Sequence, residues 1–171
     1  MGRLATLELF KERMGFSAGH FTIFSATSRE QLHGHNYQLH VALTTEVVEE
    51  YGLTFDYRDY KNILYQRCKD LNETFILPKF SPHLKLSEDA DYIYALFDGK
   101  KIPFLKEDVT ILPVTNVTVE ELSFWFLKIF TEDKANLVKN KIKHIEVKIS
   151  SSPGQFGSAV WESTNGVLKN K

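Results

Sequence analysis

The sequence predicts an α+β fold: a four-stranded antiparallel sheet with two helices on one face and an inserted β-hairpin. Three observations predict it. Residues 6–20 and 35–47 alternate apolar and polar side chains, as half-buried strands do. Two segments, opening at Asp56 and at Thr118, switch to helical spacing. Two further alternating runs close the chain, giving the order strand, strand, helix, insertion, helix, strand, strand.

In the first run Phe10, Met14, Phe16, Ala18 and His20 share one parity, opposite Lys11, Arg13 and Ser17. In the second, His35, Tyr37, Leu39, Val41 and Leu43 share a face, opposite Gln38, His40 and Thr44. The polar connection from Ser25 to Gln31 reads as a loop. Asp56 is a good N-cap for the first helix, whose apolar stripe is Tyr60, Ile63, Leu64, Cys68 and Leu71. Residues 84–106 read as a hairpin turned at Asp98-Gly99, within an insertion of about 78–113. Thr118-Val119-Glu120-Glu121 is a capping box that opens the second helix, striped by Val119, Leu122, Phe126, Ile129 and Phe130. Ile145, Val147 and Ile149 face inward on the next strand, and Phe156 to Glu162 form the last. The polar tail, 163–171, is expected to fray, and residues 1–171 form one domain. Edge strands in such a sheet need cover, which favours a closed oligomer.

Composition excludes several classes. Net charge is -1, so nothing draws the chain to nucleic acid or an anionic membrane. No apolar run approaches the ~20 residues of a membrane span. Cys68 is the single cysteine, so no internal disulfide forms, and the N-terminal residues lack an apolar signal core. A cytoplasmic enzyme is the expectation.

Three histidines carry the chemistry: His20, and the pair His33 and His35 in Leu32-His33-Gly34-His35-Asn36-Tyr37. Two residues apart on a strand, His33 and His35 point to one face. Three imidazoles leave one position of a tetrahedral Zn2+ open, as in a catalytic rather than a structural zinc site. His40, His83 and His144 lack such a context and are expected to be solvent-facing or locally hydrogen-bonded. Cys68 lies on the buried helix stripe, where a thiol packs rather than reacts.

The words Phe16-Ser17-Ala18-Gly19-His20-Phe21, Leu32-His33-Gly34-His35-Asn36-Tyr37, Asp56-Tyr57 and Asn116-Val117-Thr118-Val119-Glu120-Glu121-Leu122 resemble those of the 6-pyruvoyl-tetrahydropterin synthase / 6-carboxy-tetrahydropterin synthase family of the tunnelling fold. The resemblance spans about residues 8–162. It implies that His20, His33 and His35 ligate zinc and that the substrate is dihydroneopterin triphosphate or a related reduced pterin. It implies also a homohexamer of two stacked trimers with active sites at subunit interfaces. The catalytic cysteine usual in the family is missing. Arg29-Glu30-Gln31-Leu32 stands there, similar to a branch that uses the glutamate instead and cleaves the side chain to 6-hydroxymethyl-dihydropterin. Glu30 is therefore the candidate general base.

Two further departures concern the chemistry. The family's Leu-Asp-His proton-transfer site aligns with Leu71-Asn72-Glu73. Asn72 takes no proton, so Glu73 is the candidate second acid/base, or that route is absent. The family's pterin-holding glutamate aligns with Ser151, whose hydroxyl replaces a two-oxygen anchor. Thr118 matches a pocket-lining hydroxyl and is also a helix cap. The expected activity is a zinc-dependent lyase in folate or biopterin biosynthesis. The alternatives are a paralogue with a changed substrate and a non-catalytic metal- and ligand-binding homologue.

Overall fold

In a computed structural model describing residues 2–164 and 167–169, the chain is α+β, with a larger sheet than predicted. Its strands are β1 (Leu4–Leu9), β2 (Gly15–His20), β3 (His33–Glu46), β4 (Thr74–Pro78), β5 (Lys85–Glu88), β6 (Tyr92–Phe97), β7 (Lys100–Leu105), β8 (Val109–Leu112), β9 (Ile142–Ser152), β10 (Gln155–Thr164) and β11 (Val167–Lys169). Its α-helices are α1 (Arg58–Leu71), α2 (Val119–Thr131) and the short α3 (Lys134–Lys139). The main sheet runs β11-β10-β9-β3-β2-β4-β8, with β1 also on β3, eight strands in place of the four expected.

The four expected strands form its centre, with one division. Residues 6–20 make two strands, because residues 10–14 leave the ladder in a turn closed by Met14 N–H donating to the Lys11 carbonyl. β1 pairs with the second half of β3 (Leu9↔Val41) and β2 with the first half (His20↔His33). Phe10 therefore turns out to solvent, while Met14, Phe16 and Ala18 are buried as read. The strands missed in this sheet are β11, which pairs with β10, and β4 and β8, which extend the sheet in parallel beyond β2. Their runs, Thr74–Pro78 and Val109–Leu112, flank the insertion and pair with each other far along the sequence, so local periodicity carries no sign of them.

The insertion is also larger than a hairpin. β5, β6 and β7 form a separate three-stranded antiparallel sheet. Its Asp98-Gly99 turn is as predicted: both residues have positive φ (49° and 70°), the requirement of a type I′ turn. The expected fraying of the tail is not what is found at 163–164 and 167–169, which continue β10 and pair back as β11; residues 165, 166, 170 and 171 lie outside those described.

Both long helices pack on one face. Tyr60, Leu64, Cys68 and Leu71 of α1 and Leu122, Phe126 and Phe130 of α2 share a cluster with Phe16, Tyr37, Leu39, Val41, Ile145, Val147 and Trp161. Ile63 of the predicted stripe is instead exposed. Burial pushes the Cys68 thiol up to about 12, as expected of a packing residue. Asp56 is not the cap expected: Tyr57 holds the N-cap position of α1, and Asp56, one residue outside it, accepts from the Arg58 N–H at 3.0 Å. Thr118 caps α2 by accepting from the Glu121 N–H at 3.3 Å, but the Glu121 carboxylate reaches Thr115 N–H rather than closing the box. A second apolar cluster, of Phe21, Ile23, Leu77, Leu84, Ile93, Ala95 and Phe97, joins the small sheet to the loop after β2. Among the described residues no helix is long and apolar enough to cross a membrane.

Gly157 shows how tightly α2 is seated on β10. A Cβ there would lie 2.5 Å from the Val119 carbonyl carbon and 2.6 Å from Glu120 N, both backbone atoms of the first turn. Gly157→Ala is expected to cost about 2 kcal/mol by overpacking. Thermal unfolding checks this; an unchanged Tm would mean that the helix start moves freely.

Candidate metal centre

The β2–β3 hairpin builds the site. His20 pairs directly with His33, and Ala18 with His35, so strand register puts all three imidazoles on the helix-side face. One ring nitrogen from each lies within 4.8 Å of the others. His33 Nε2 and His35 Nε2 are 3.0 Å apart. His20 Nδ1 lies 2.9 Å from the Val117 carbonyl and His33 Nδ1 lies 2.8 Å from the Gln31 carbonyl. A carbonyl only accepts, so both Nδ1 atoms carry the proton and both Nε2 atoms present a lone pair. His20 Nε2 is buried and has no hydrogen-bond partner. A buried orphan acceptor costs stability unless something satisfies it. A cation between the three rings would do so, and the donor set of three neutral nitrogens suits a transition metal.

The electrostatics agree. Burial lowers the His20 pKa, and the neighbouring His33 and His35 rings lower it further against the opposing bond to Val117. Burial and His33 likewise lower that of His35. Both rings thus favour the neutral, ligating form. Burial, aided by the Glu30 charge, raises the pKa of Tyr37, which stands edge-on to His20 and His35.

Glu30 comes to this cluster from the loop between β2 and β3. Its Oε2 accepts from the Thr22 N–H at 2.8 Å and lies 3.9 Å from His33 Nε2. Burial pushes its carboxyl up, but the Thr22 hydrogen bonds and the His33 and His20 rings outweigh that and hold it below its ordinary value. It is an ionised carboxylate beside three imidazoles, the placement a general base needs.

The other candidates lie elsewhere in the chain. Asn72 caps the end of α1, where its Oδ1 accepts from the Ser17 N–H at 2.8 Å. Glu73 has a left-handed backbone (φ 61°) and its N–H donates to the Ser17 carbonyl. With Ser17, Gly19, Gly34 and Asn36 it lines a cleft of about 440 Å³ that His35 also lines, so the cleft reaches the histidine cluster. Ser151 is half-buried at a bulge, where Ser150 pairs with Phe156 and Ser152 with Gln155. Among the described residues no hydrogen bond or ion pair joins Asn72, Glu73 or Ser151 to the histidines. Thr118 is close through the chain, one residue after the carbonyl that holds His20. His144 lies 3.5 Å from Glu162 and His83 is exposed, but His40 departs from expectation: its Nε2 is buried without a hydrogen-bond partner, 3.6 Å from Glu8.

Two residues that position the site escaped the sequence reading. Thr22 orients Glu30 through its backbone, which no side-chain pattern reveals. Asn116 clamps Ile23 by both edges, accepting from its N–H at 3.1 Å and donating to its carbonyl at 2.8 Å. Its signal was its place in Asn116-Val117-Thr118.

The family model for 6-pyruvoyl tetrahydropterin synthase matches residues 9–160, nearly the whole of this hairpin-centred fold. The chain belongs to the 6-pyruvoyl tetrahydropterin synthase family. Within that family it is similar to the Plasmodium vivax 6-pyruvoyltetrahydropterin synthase, whose solved structure superposes with a TM-score of 0.86 at 28% identity, covering 94% of this chain and 99% of that one. The Plasmodium falciparum synthase gives 0.85 at 27% identity, with the same coverages. Two of the P. vivax structures carry substitutions of a glutamate described as a catalytic residue. A Methanocaldococcus jannaschii protein provisionally assigned as 6-carboxy-5,6,7,8-tetrahydropterin synthase is 29% identical over 140 residues, 82% of this chain and 85% of that protein. The family's enzymes are lyases on pterins, and the three-histidine cluster of this chain could hold a metal ion.

Proposed function

We propose that this chain is a zinc-dependent lyase that acts on dihydroneopterin triphosphate or a related reduced pterin, with Glu30 as its base. The observation that carries the reading is the Glu30 carboxylate, ionised and 3.9 Å from a ring nitrogen of the three-histidine cluster. The catalytic glutamate of the P. vivax relatives supports it. His20, His33 and His35 would hold the zinc. When bound, zinc supplies Lewis acidity that makes the hydroxyls of the pterin side chain easier to deprotonate. Glu30 then takes a proton from that side chain. The Thr22 N–H engages Oε2. Oε1 is left to receive the proton, after which the side chain is cleaved or the triphosphate expelled.

Glu73 stands as the second acid/base. Glu73 and His35 line one cleft, which supports a role beside the cluster, and the family resemblance implies sites at subunit interfaces in a homohexamer of two trimers. Asn72 would position that segment through Ser17. Thr118 and Ser151 are assigned to the pterin pocket, and the lone buried Cys68 accords with a cytoplasmic setting. A second reading, a changed substrate, is favoured by one observation: Ser151 offers a hydroxyl where the family resemblance implies a carboxylate.

The test is zinc per chain, followed by incubation with dihydroneopterin triphosphate and identification of the pterin by mass. A pterin that has lost its triphosphate or its side chain is the expected result. Stoichiometric zinc with unaltered substrate would overturn the assignment and leave the changed-substrate reading.

A further inference from the structure

The geometry points to Arg29 as a positioning residue that locks the Glu30 carboxylate in place, using the inserted sheet as its support. This rests on Glu30 being the base. The Arg29 guanidinium carbon sits 4.9 Å from the centre of the Phe21 ring and 5.7 Å from that of Phe97. Its Nη1 donates to the Glu30 carbonyl at 2.6 Å. Backbone pairing completes the clamp, with Arg29 bridged to Ile23 and the Glu30 N–H donating to the Thr22 carbonyl at 2.9 Å.

Each contact acts on a different part of the loop. The bond to the Glu30 carbonyl fixes the peptide that follows the base. Phe21, next to His20, and Phe97, the last residue of β6, are 1% and 5% exposed, so both rings are immobile surfaces. A planar guanidinium can lie against aromatic faces and still donate in its own plane, which an ammonium cannot do. Arg29 thus ties three things together: the ligand strand through Phe21, the inserted sheet through Phe97, and the base through its carbonyl. Without it, Glu30 keeps Thr22 but loses the brace on its C-terminal side. A misplacement of about 1 Å at a catalytic group can cost about 100-fold in rate.

The experiment compares zinc-loaded wild type, Arg29→Ala, Arg29→Lys, Phe97→Leu, Glu30→Gln and the Arg29→Ala/Glu30→Gln double variant on dihydroneopterin triphosphate, with zinc content and Tm measured for each. Arg29→Ala is expected to lower kcat about tenfold or more with KM within about twofold and zinc retained. Arg29→Lys, which keeps the charge but not the planar fork, should lose most of the same rate. Phe97→Leu should show a smaller loss in the same direction and stands in if Arg29→Ala fails to fold. In the Glu30→Gln background, removing Arg29 should cost little more, because both act through one group. Undiminished kcat in Arg29→Ala, or in Phe97→Leu if it must stand in, would overturn the proposal. So would a full additional loss in the double variant, or a change confined to KM. Full activity in Glu30→Gln alone would instead remove the base assignment on which the proposal stands.

Discussion

Glu30→Gln is expected to lower kcat by about 10²- to 10⁴-fold, the usual worth of a general base, while zinc content stays at the wild-type level. The substitution is nearly isosteric. The amide oxygen can still accept from the Thr22 N–H that holds Oε2 in the wild type. The loop geometry is therefore kept, and only the capacity to take a proton is lost. The ligands are untouched, since Glu30 lies 3.9 Å from His33 Nε2 and supplies no orienting bond to any of the three rings. Steady-state turnover together with metal analysis separates the two roles. Wild-type kcat would remove Glu30 from the chemistry, and lost zinc with lost activity would make it part of the metal site instead.

His20→Ala is expected to have the other large effect: metal affinity should fall by more than about 100-fold, beyond what loss of an outer-shell partner costs, and turnover with it. His20 is 5% exposed, its Nδ1 is committed to Val117, and its Nε2 has no partner other than what the cluster binds. Titration with zinc followed by Tm gives the readout. A ligand at 100 times its Kd stabilises by about 2.7 kcal/mol, so wild type should gain several degrees and the variant almost none. The pH dependence has a definite sign. The folded-state pKa of His20 lies below the 6.5 of an unperturbed ring. Between the two values the unfolded chain binds more protons, so the metal-free protein loses stability as pH falls through 6.5 toward the depressed value. Metal loading weakens over the same range, because protons compete for Nε2. A zinc-induced rise in Tm undiminished in His20→Ala would show that the ion is held elsewhere.

The core of this fold and its three-histidine cluster were legible because they are local. Alternation places Phe16, Ala18 and His20 on one face, and the Leu32–Tyr37 word sets His33 and His35 on the neighbouring strand. The Asp98-Gly99 turn was equally plain, since only residues tolerant of positive φ fit it. What the sequence did not disclose depends on distance. Parallel pairing of Phe75 with Val109 joins residues from the two ends of the insertion, and β5 is the polar run Lys85-Leu86-Ser87-Glu88, which by itself has no strand signature. The division between β1 and β2 was hidden because Phe10 keeps the strand parity although the chain turns there. Ser151 was assigned by alignment with the family, and a bulge between β9 and β10 shifts the register beside it. Thr22 and Val117 act through backbone atoms, which residue type does not encode.

The chain crosses from one apolar cluster to the other beside the three histidines, His20 ending a strand of the main sheet and Phe21 opening the residues packed on the small one. On the proposed reading, the histidines and Glu30 therefore meet at one junction, where Arg29 lies against Phe21 and Phe97 and donates to the Glu30 carbonyl. Variation within residues 84–105 would then reach Glu30 through Phe97 and Arg29, and the histidine strand through Phe21. On that reading a surface module is wired to the reacting centre, and drift far from the histidines would still be felt in the chemistry.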